Sequence, residues 1–144
     1  PESHAASFAL LAYASAYLKC RYLAAFTAAG IDCRAEDSLE GVLWKKLCWN
    51  VPFNGLSIAA GGVTTDRIVG DPSLRSRARR LMDEVAAAAL ARGHGFDEKH
   101  IRWQLEMTDA MGPYRPSSLI DYPAGREVEV EGIWRVGDSG SLLK

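Results

Sequence analysis

The sequence is poor in the residues that build covalent or metal frameworks. Its 144 residues hold three cysteines, Cys20, Cys33 and Cys48, and no two of them form a CxxC pair. An odd, unpatterned set excludes a disulfide scaffold and points to a reduced, cytoplasmic setting. The three histidines, His4, His94 and His100, stand at no zinc-ligand spacing, so no metal is expected. An excess of charge of one sign is also missing. Seventeen Lys and Arg face eighteen Asp and Glu, a formal net charge of −1. No broad positive field exists to hold nucleic acid or an anionic membrane. Arg75, Arg77, Arg79 and Arg80 do cluster, but on a helix they spread around the circumference and read as a solvated face. The most apolar stretch, Ala5 to Leu18, is broken by Ser7 and Ser15. It falls short of the roughly twenty residues a membrane span needs, and no basic leader precedes it. It reads as an Ala-rich helix packed on another element or forming an interface. Finally, there is no GxGxxG, no GxxxxGK[ST] and no alternation of strands with helices, so the sequence has no visible cradle for a dinucleotide's pyrophosphate.

What is present is the composition of a globular domain, 48% apolar and 24% charged. Ala5 to Ala29 favours helix, with Gly30 placed as its stop. Asp32 to Gly41 reads as a polar connection. Val42 to Ala60 is apolar at helical period and contains Pro52, which predicts a kink near Cys48 to Pro52. Cys48 itself lies in that apolar run and reads as a small buried hydrophobe. Thr64 to Gly70 reads as a short connection after Gly61 and Gly62. Asp71 and Pro72 then open the clearest helix, in which Leu74, Ala78, Leu81, Met82, Val85 and Ala89 form one stripe. Phe96 to Met111 is a further helix with Ile101, Leu105 and Thr108 on one side. Breaks follow at Gly112 to Pro116 and Pro123 to Gly125. Glu127 to Ile133 alternates like a strand, although helix is open there too.

Two constellations carry chemistry. Lys46, Asn50 and Asn54 are spaced by four, which lines them along one helix face beside Leu47, Trp49 and Phe53. Two amides and an amine in line suit a small oxygen-rich ligand, and the amine can protonate or stabilise a developing alkoxide. The plain alternative, an amphipathic helix with a polar face, is favoured by spacing alone. The second constellation runs from Arg115 to Glu129. Here Ser117 or Ser118 can cap an element, Asp121 can pair with Arg126, and Glu129 can face Lys46, holding it charged. Asp83 and Glu84 read as solvated or ion-paired helix residues, His94 as an exposed loop residue, and Trp44 and Trp49 as core.

Read together, the two segments resemble a known family. Trp-Lys-Lys-Leu-x-x-Asn-x-x-x-Asn-x-Leu-Ser from Trp44, then Met-Asp-Glu-Val-Ala from Met82, then Ser-Ser-Leu-Ile-Asp-Tyr-x-x-Gly-Arg-x-x-Glu ending at Glu129, are similar to ketopantoate reductase (2-dehydropantoate 2-reductase) over about Leu23 to Trp134. The resemblance implies an NADP-dependent enzyme of pantothenate biosynthesis with two domains. It places the cofactor mainly in an N-terminal Rossmann domain absent from this chain, and a 2-keto acid between that domain and a helical one. The expected fold is therefore all-α, a multi-helix bundle of the 6-phosphogluconate dehydrogenase C-terminal-like type. The resemblance also makes Lys46 the general acid, Glu129 its partner and a contact of the substrate hydroxyl, and Asn50, Asn54 and Ser117 substrate contacts. Ser118 and Asp121, read above as capping and pairing residues, are candidates for a supporting role.

The sequence departs from the pattern in places. The glycine-rich fingerprint is missing, Thr64 and Tyr114 stand where relatives can carry asparagines, and 135–144 does not continue into the family's terminal helix. Both ends thus read as cut. Residues 1–30 are expected to be a helical interface segment or interdomain remnant, and 31–144 the substrate-binding domain. Pro1 to Tyr17 match nothing in the pattern. The expected partners are the keto acid, the missing Rossmann domain and a second copy as a homodimer. Two other classes of function stay open: a non-catalytic ligand-binding module and a dimerisation module derived from the same family.

Overall fold

A computed structural model describes residues 22–30 and 38–128. The chain divides into two compact units, Pro1–Asp37 and Ser38–Lys144. In the first, residues 22–28 are helical (α1) and Gly30 stands at φ +79°, the left-handed conformation expected of a helix stop. The rest of the expected Ala5 to Ala29 helix lies outside the described residues.

The second unit is all helix and turn, with no strand among the described residues. Its elements are α2 (Leu39–Ala59), α3 (Thr65–Gly70), α4 (Pro72–Ala91), α5 (Glu98–Met111) and α6 (Ser117–Asp121). Helix α2 is the axle, packing against each of the other four. Ser38 starts it, its hydroxyl accepting the Gly41 N–H at 3.1 Å. Around its middle turns Trp44, Leu47, Cys48, Pro52, Phe53, Asn54, Leu56 and Ser57 are all buried. A helix covered nearly all round shows no clean apolar stripe. The helix runs uninterrupted through Pro52.

Helix α4 is legible in more detail. Asp71 accepts the N–H groups of Ser73 and Leu74 at 2.8 and 2.9 Å, and Pro72 occupies the first turn, where its missing donor costs nothing. Ala78, Met82, Val85 and Ala89 point inward, and the two fully buried alanines let α4 approach α2 closely. Ile68 from α3 and Ile101 and Leu105 from α5 complete the core.

Three expectations are corrected. The segment expected as a connection, Thr64 to Gly70, contains helix α3, because Thr65 and Ile68 bury one side of it. Arg75 and Arg79 are only partly solvated. Arg75 grips Asp109 of α5 through both terminal nitrogens, at 2.5 and 2.8 Å, and Arg79 reaches Asp83 at 3.0 Å and Glu98 at 2.6 Å. His94 is no free loop residue, since its Nε2 lies 2.7 Å from the Glu40 carboxylate and ties the α4–α5 loop to the start of α2. The ion pairs link α4 to α5 at the surface and hold the Asp109 and Glu98 carboxyls below their ordinary values. Water and salt screen them, so Arg75→Ala is expected to cost at most about 1 kcal/mol in urea unfolding.

Cys48 is fully buried, as expected. Burial first, and the nearby Asp83 charge second, push its thiol up to about 12. A raised value means that the neutral thiol favours the fold below the unfolded value of about 8.5, and that this contribution fades as pH climbs from there toward the folded value. Cys48 is therefore expected to resist iodoacetamide at pH 8 in the folded chain and to react in 6 M guanidinium, read by peptide mass spectrometry.

Candidate active site

The polar face expected on α2 exists, and it is graded. Lys46 is exposed, Asn50 is half-buried, and Asn54 is 2% exposed. One side of the helix thus passes from solvent into the protein over two turns, with polar atoms at each step. Two residues of α5 set the height of this face. Gln104 donates from Nε2 to the Lys45 carbonyl at 2.8 Å, gripping the backbone next to Lys46. Trp49 donates from its indole nitrogen to the Thr108 hydroxyl at 2.9 Å and stacks on Phe53 at 5.0 Å.

The two motif segments meet at the buried end. Asn54 Oδ1 accepts the Ser118 backbone N–H at 3.0 Å and the Ser117 hydroxyl at 3.4 Å, across 64 and 63 residues of sequence. Its Nδ2 donates to the Asn50 carbonyl at 3.1 Å. Both polar ends of Asn54 are therefore committed to protein partners. This also corrects the expected capping. No side chain of α6 caps its start, where Pro116 is the flanking residue. The carboxamide of Asn54 takes a free N–H of its first turn from another helix. Ser117 stays exposed while Ser118 is buried, with both joined to Asn54. Asp121 closes the same short helix onto Arg126 at 2.7 Å, as its spacing suggested. Glu129 lies outside the described residues.

The loop into Ser117 is held by a residue that the sequence reading passed over. Thr65 donates its hydroxyl to the Gly112 carbonyl at 2.8 Å, and its backbone N–H to the Tyr114 carbonyl at 3.0 Å. Gly112 sits at φ +70°, ψ −150°, a conformation open to glycine and strained for other residues. The Tyr114 ring meets Trp49 edge-on at 6.1 Å. Thr65 and Gln104 carry no motif signal, and only the fold brings them to the site. Among the described residues no group of acidic, cysteine and histidine side chains can hold a metal ion, and no helix is long and apolar enough to cross a membrane.

The unit is all-helical among its described residues, and its central helix α2 carries Lys46, Asn50 and Asn54 on one side, with Asn54 joined to the Ser117–Ser118 turn. Residues 38–136 match the family model described as ketopantoate reductase PanE/ApbA C terminal. The chain belongs to that family. It is 40% identical over 108 residues to a 2-dehydropantoate 2-reductase of Nostoc sp. (strain PCC 7120 / SAG 25.82 / UTEX 2576), a match that covers 75% of this chain and 34% of the relative. The crystal structure of 2-dehydropantoate 2-reductase from Geobacter metallireducens GS-15 superimposes with a TM-score of 0.69 and 41% identity, over 78% of this chain and 38% of that one. The chain thus spans about a third of the length of the reductases it matches.

A separate, short likeness is to Error-prone DNA polymerase 3 of Agrobacterium fabrum (strain C58 / ATCC 33970). It is 72% identical over 32 residues, which is 22% of this chain and 3% of that protein. Outside the family-model residues 38–136, only residues 1–37 have room for a match of that length.

Proposed function

We propose that residues 38–144 form the keto-acid-binding part of an NADP-dependent 2-dehydropantoate 2-reductase, with Lys46 as the general acid. The observation that carries this reading is the meeting of the two motif segments at Asn54, with Lys46 and Asn50 on the same face. In the proposed site the Ser117 hydroxyl and the Asn50 carboxamide bind the oxygen atoms of the acid. Asn54 belongs to the same binding set and acts by holding Ser117 against α2. The Lys46 ammonium donates a hydrogen bond to the keto oxygen. As negative charge builds on that oxygen during reduction the bond strengthens, and the proton passes from Nζ to give the hydroxy acid. Glu129 is proposed to keep the amine charged and to accept from the substrate hydroxyl. Ser118 and Asp121 support the turn that carries Ser117.

The proposed cofactor, NADP, does not fit the described residues of this chain. They hold no strand running through a glycine-rich loop into a helix, the arrangement that cradles a pyrophosphate. No step involving NADP is therefore assigned to these residues, and their share is binding, orientation and the proton.

Titration of the 144-residue chain with pantoate, the hydroxy acid product, tests the reading. The expected result is saturable movement of the backbone amide signals of Lys46, Asn50 and Ser117 with those of α4 still. Movement spread evenly over the chain, or none at millimolar pantoate, would remove the site.

A further inference from the structure

We propose that Thr65 is a positioning residue for the keto-acid site, setting the place of Ser117 through the loop 112–116. The inference rests on the reading above and adds to it a residue on a different helix. Thr65 is fully buried, and its hydroxyl and its backbone N–H are both spent on one short stretch of chain. Its hydroxyl donates to the Gly112 carbonyl and accepts the Tyr114 N–H at 3.2 Å, while its own N–H donates to the Tyr114 carbonyl. The loop so held leads through the buried Pro116 directly into Ser117 and Ser118. Its far end is fixed by Asn54 through the Ser118 N–H.

The segment 112–118 therefore hangs between two polar anchors, Thr65 of α3 at one end and Asn54 of α2 at the other. Loss of the Thr65 hydroxyl leaves the loop the Thr65 N–H bond to the Tyr114 carbonyl. It removes one of the two donors to the Gly112 carbonyl (the Tyr114 N–H is the other) and loosens a glycine with a wide conformational range. Proline at 116 has a fixed φ and transmits the displacement to Ser117 rather than absorbing it. A hydroxyl that binds a ligand loses contact after a shift of well under an ångström beyond its 2.5–3.0 Å range. Thr65 touches no part of the site itself, so its effect is on binding geometry.

Thr65→Val keeps the shape and removes the hydroxyl, whereas Thr65→Ser keeps the hydroxyl and removes the methyl. In the 144-residue chain, amide exchange of Ser118 and of Val85 is followed by NMR together with pantoate binding. Ser118 is the informative probe, because its acceptor, Asn54, is untouched by either change. Thr65→Val is expected to speed Ser118 exchange and to raise the pantoate dissociation constant, each by about tenfold, the loss of one buried hydrogen bond. Val85 exchange is expected to stay constant, and Thr65→Ser to restore both readings to within about threefold. Unchanged Ser118 exchange in Thr65→Val overturns the proposal, as does faster exchange with unchanged pantoate binding. Should Thr65→Val loosen Val85 too, Thr65→Ser decides alone: near-native readings support the clamp, and a loss equal to that of valine assigns Thr65 to packing and overturns it. Failure of the unsubstituted chain to bind pantoate defeats the functional reading instead, and the Ser118 exchange still decides the clamp.

Discussion

Lys46→Ala is expected to lower turnover by about 10²–10⁴-fold, the usual worth of a positioned acid, in a complete enzyme that carries residues 38–144 as its substrate domain. The fold should survive the change. Lys46 is exposed, and removal of an exposed helix side chain normally moves stability by no more than about 0.5 kcal/mol. Because the proton is needed when charge develops, the loss should fall mainly on kcat, with a smaller change in KM. Steady-state rates of wild type and variant, beside their melting curves, check both halves. A variant with full kcat would remove Lys46 from the chemistry, and one that unfolds would make it a structural residue.

Phe53→Ala is expected to be the most damaging single truncation in the core. Phe53 is fully buried on the central helix and stacks on Trp49, whose indole in turn bonds Thr108 of α5. Loss of a fully buried phenyl ring costs about 3–5 kcal/mol through lost transfer energy and the cavity left behind. That is a large share of the roughly 5–15 kcal/mol that stabilises an ordinary domain. The site should weaken with it, because Trp49 also packs edge-on against Tyr114 in the loop before Ser117. Urea unfolding with both variants reads the difference directly. A shift in Phe53→Ala no greater than in Arg75→Ala would contradict a core centred on α2.

Local chemistry made some of this architecture legible in advance. Asp71 and Pro72 announced the start of α4, its apolar stripe named the buried face, and Gly30 marked the end of α1. The all-α class came from the resemblance to a family pattern, since local period alone left Glu127 to Ile133 open as a strand. The polar trio of α2 was visible as spacing, and its link to the Ser117 turn came from resemblance to a family pattern. Other features depend on tertiary partners. Helix α3 is six residues long and exists because Thr65 and Ile68 find burial, which no window of sequence reports. The capping of α6 comes from Asn54, more than sixty residues upstream, so neither Ser117 nor Ser118 fills the capping role that local rules suggest. The pairing of Arg75 and Arg79 with α5 and of His94 with Glu40 likewise joins residues that only the fold makes neighbours. Residues 1–17, which fit nothing in the reductase pattern, precede the family-model region.

The central claim is that residues 38–144 supply a working keto-acid site. Its most direct test is ketopantoate-dependent NADPH oxidation by the Nostoc sp. reductase in which the matching region is replaced by residues 38–144 of this chain. The expected result is turnover that requires ketopantoate, saturates with it, and is lost in Lys46→Ala. A folded hybrid that binds NADPH and shows no ketopantoate-dependent oxidation would contradict it.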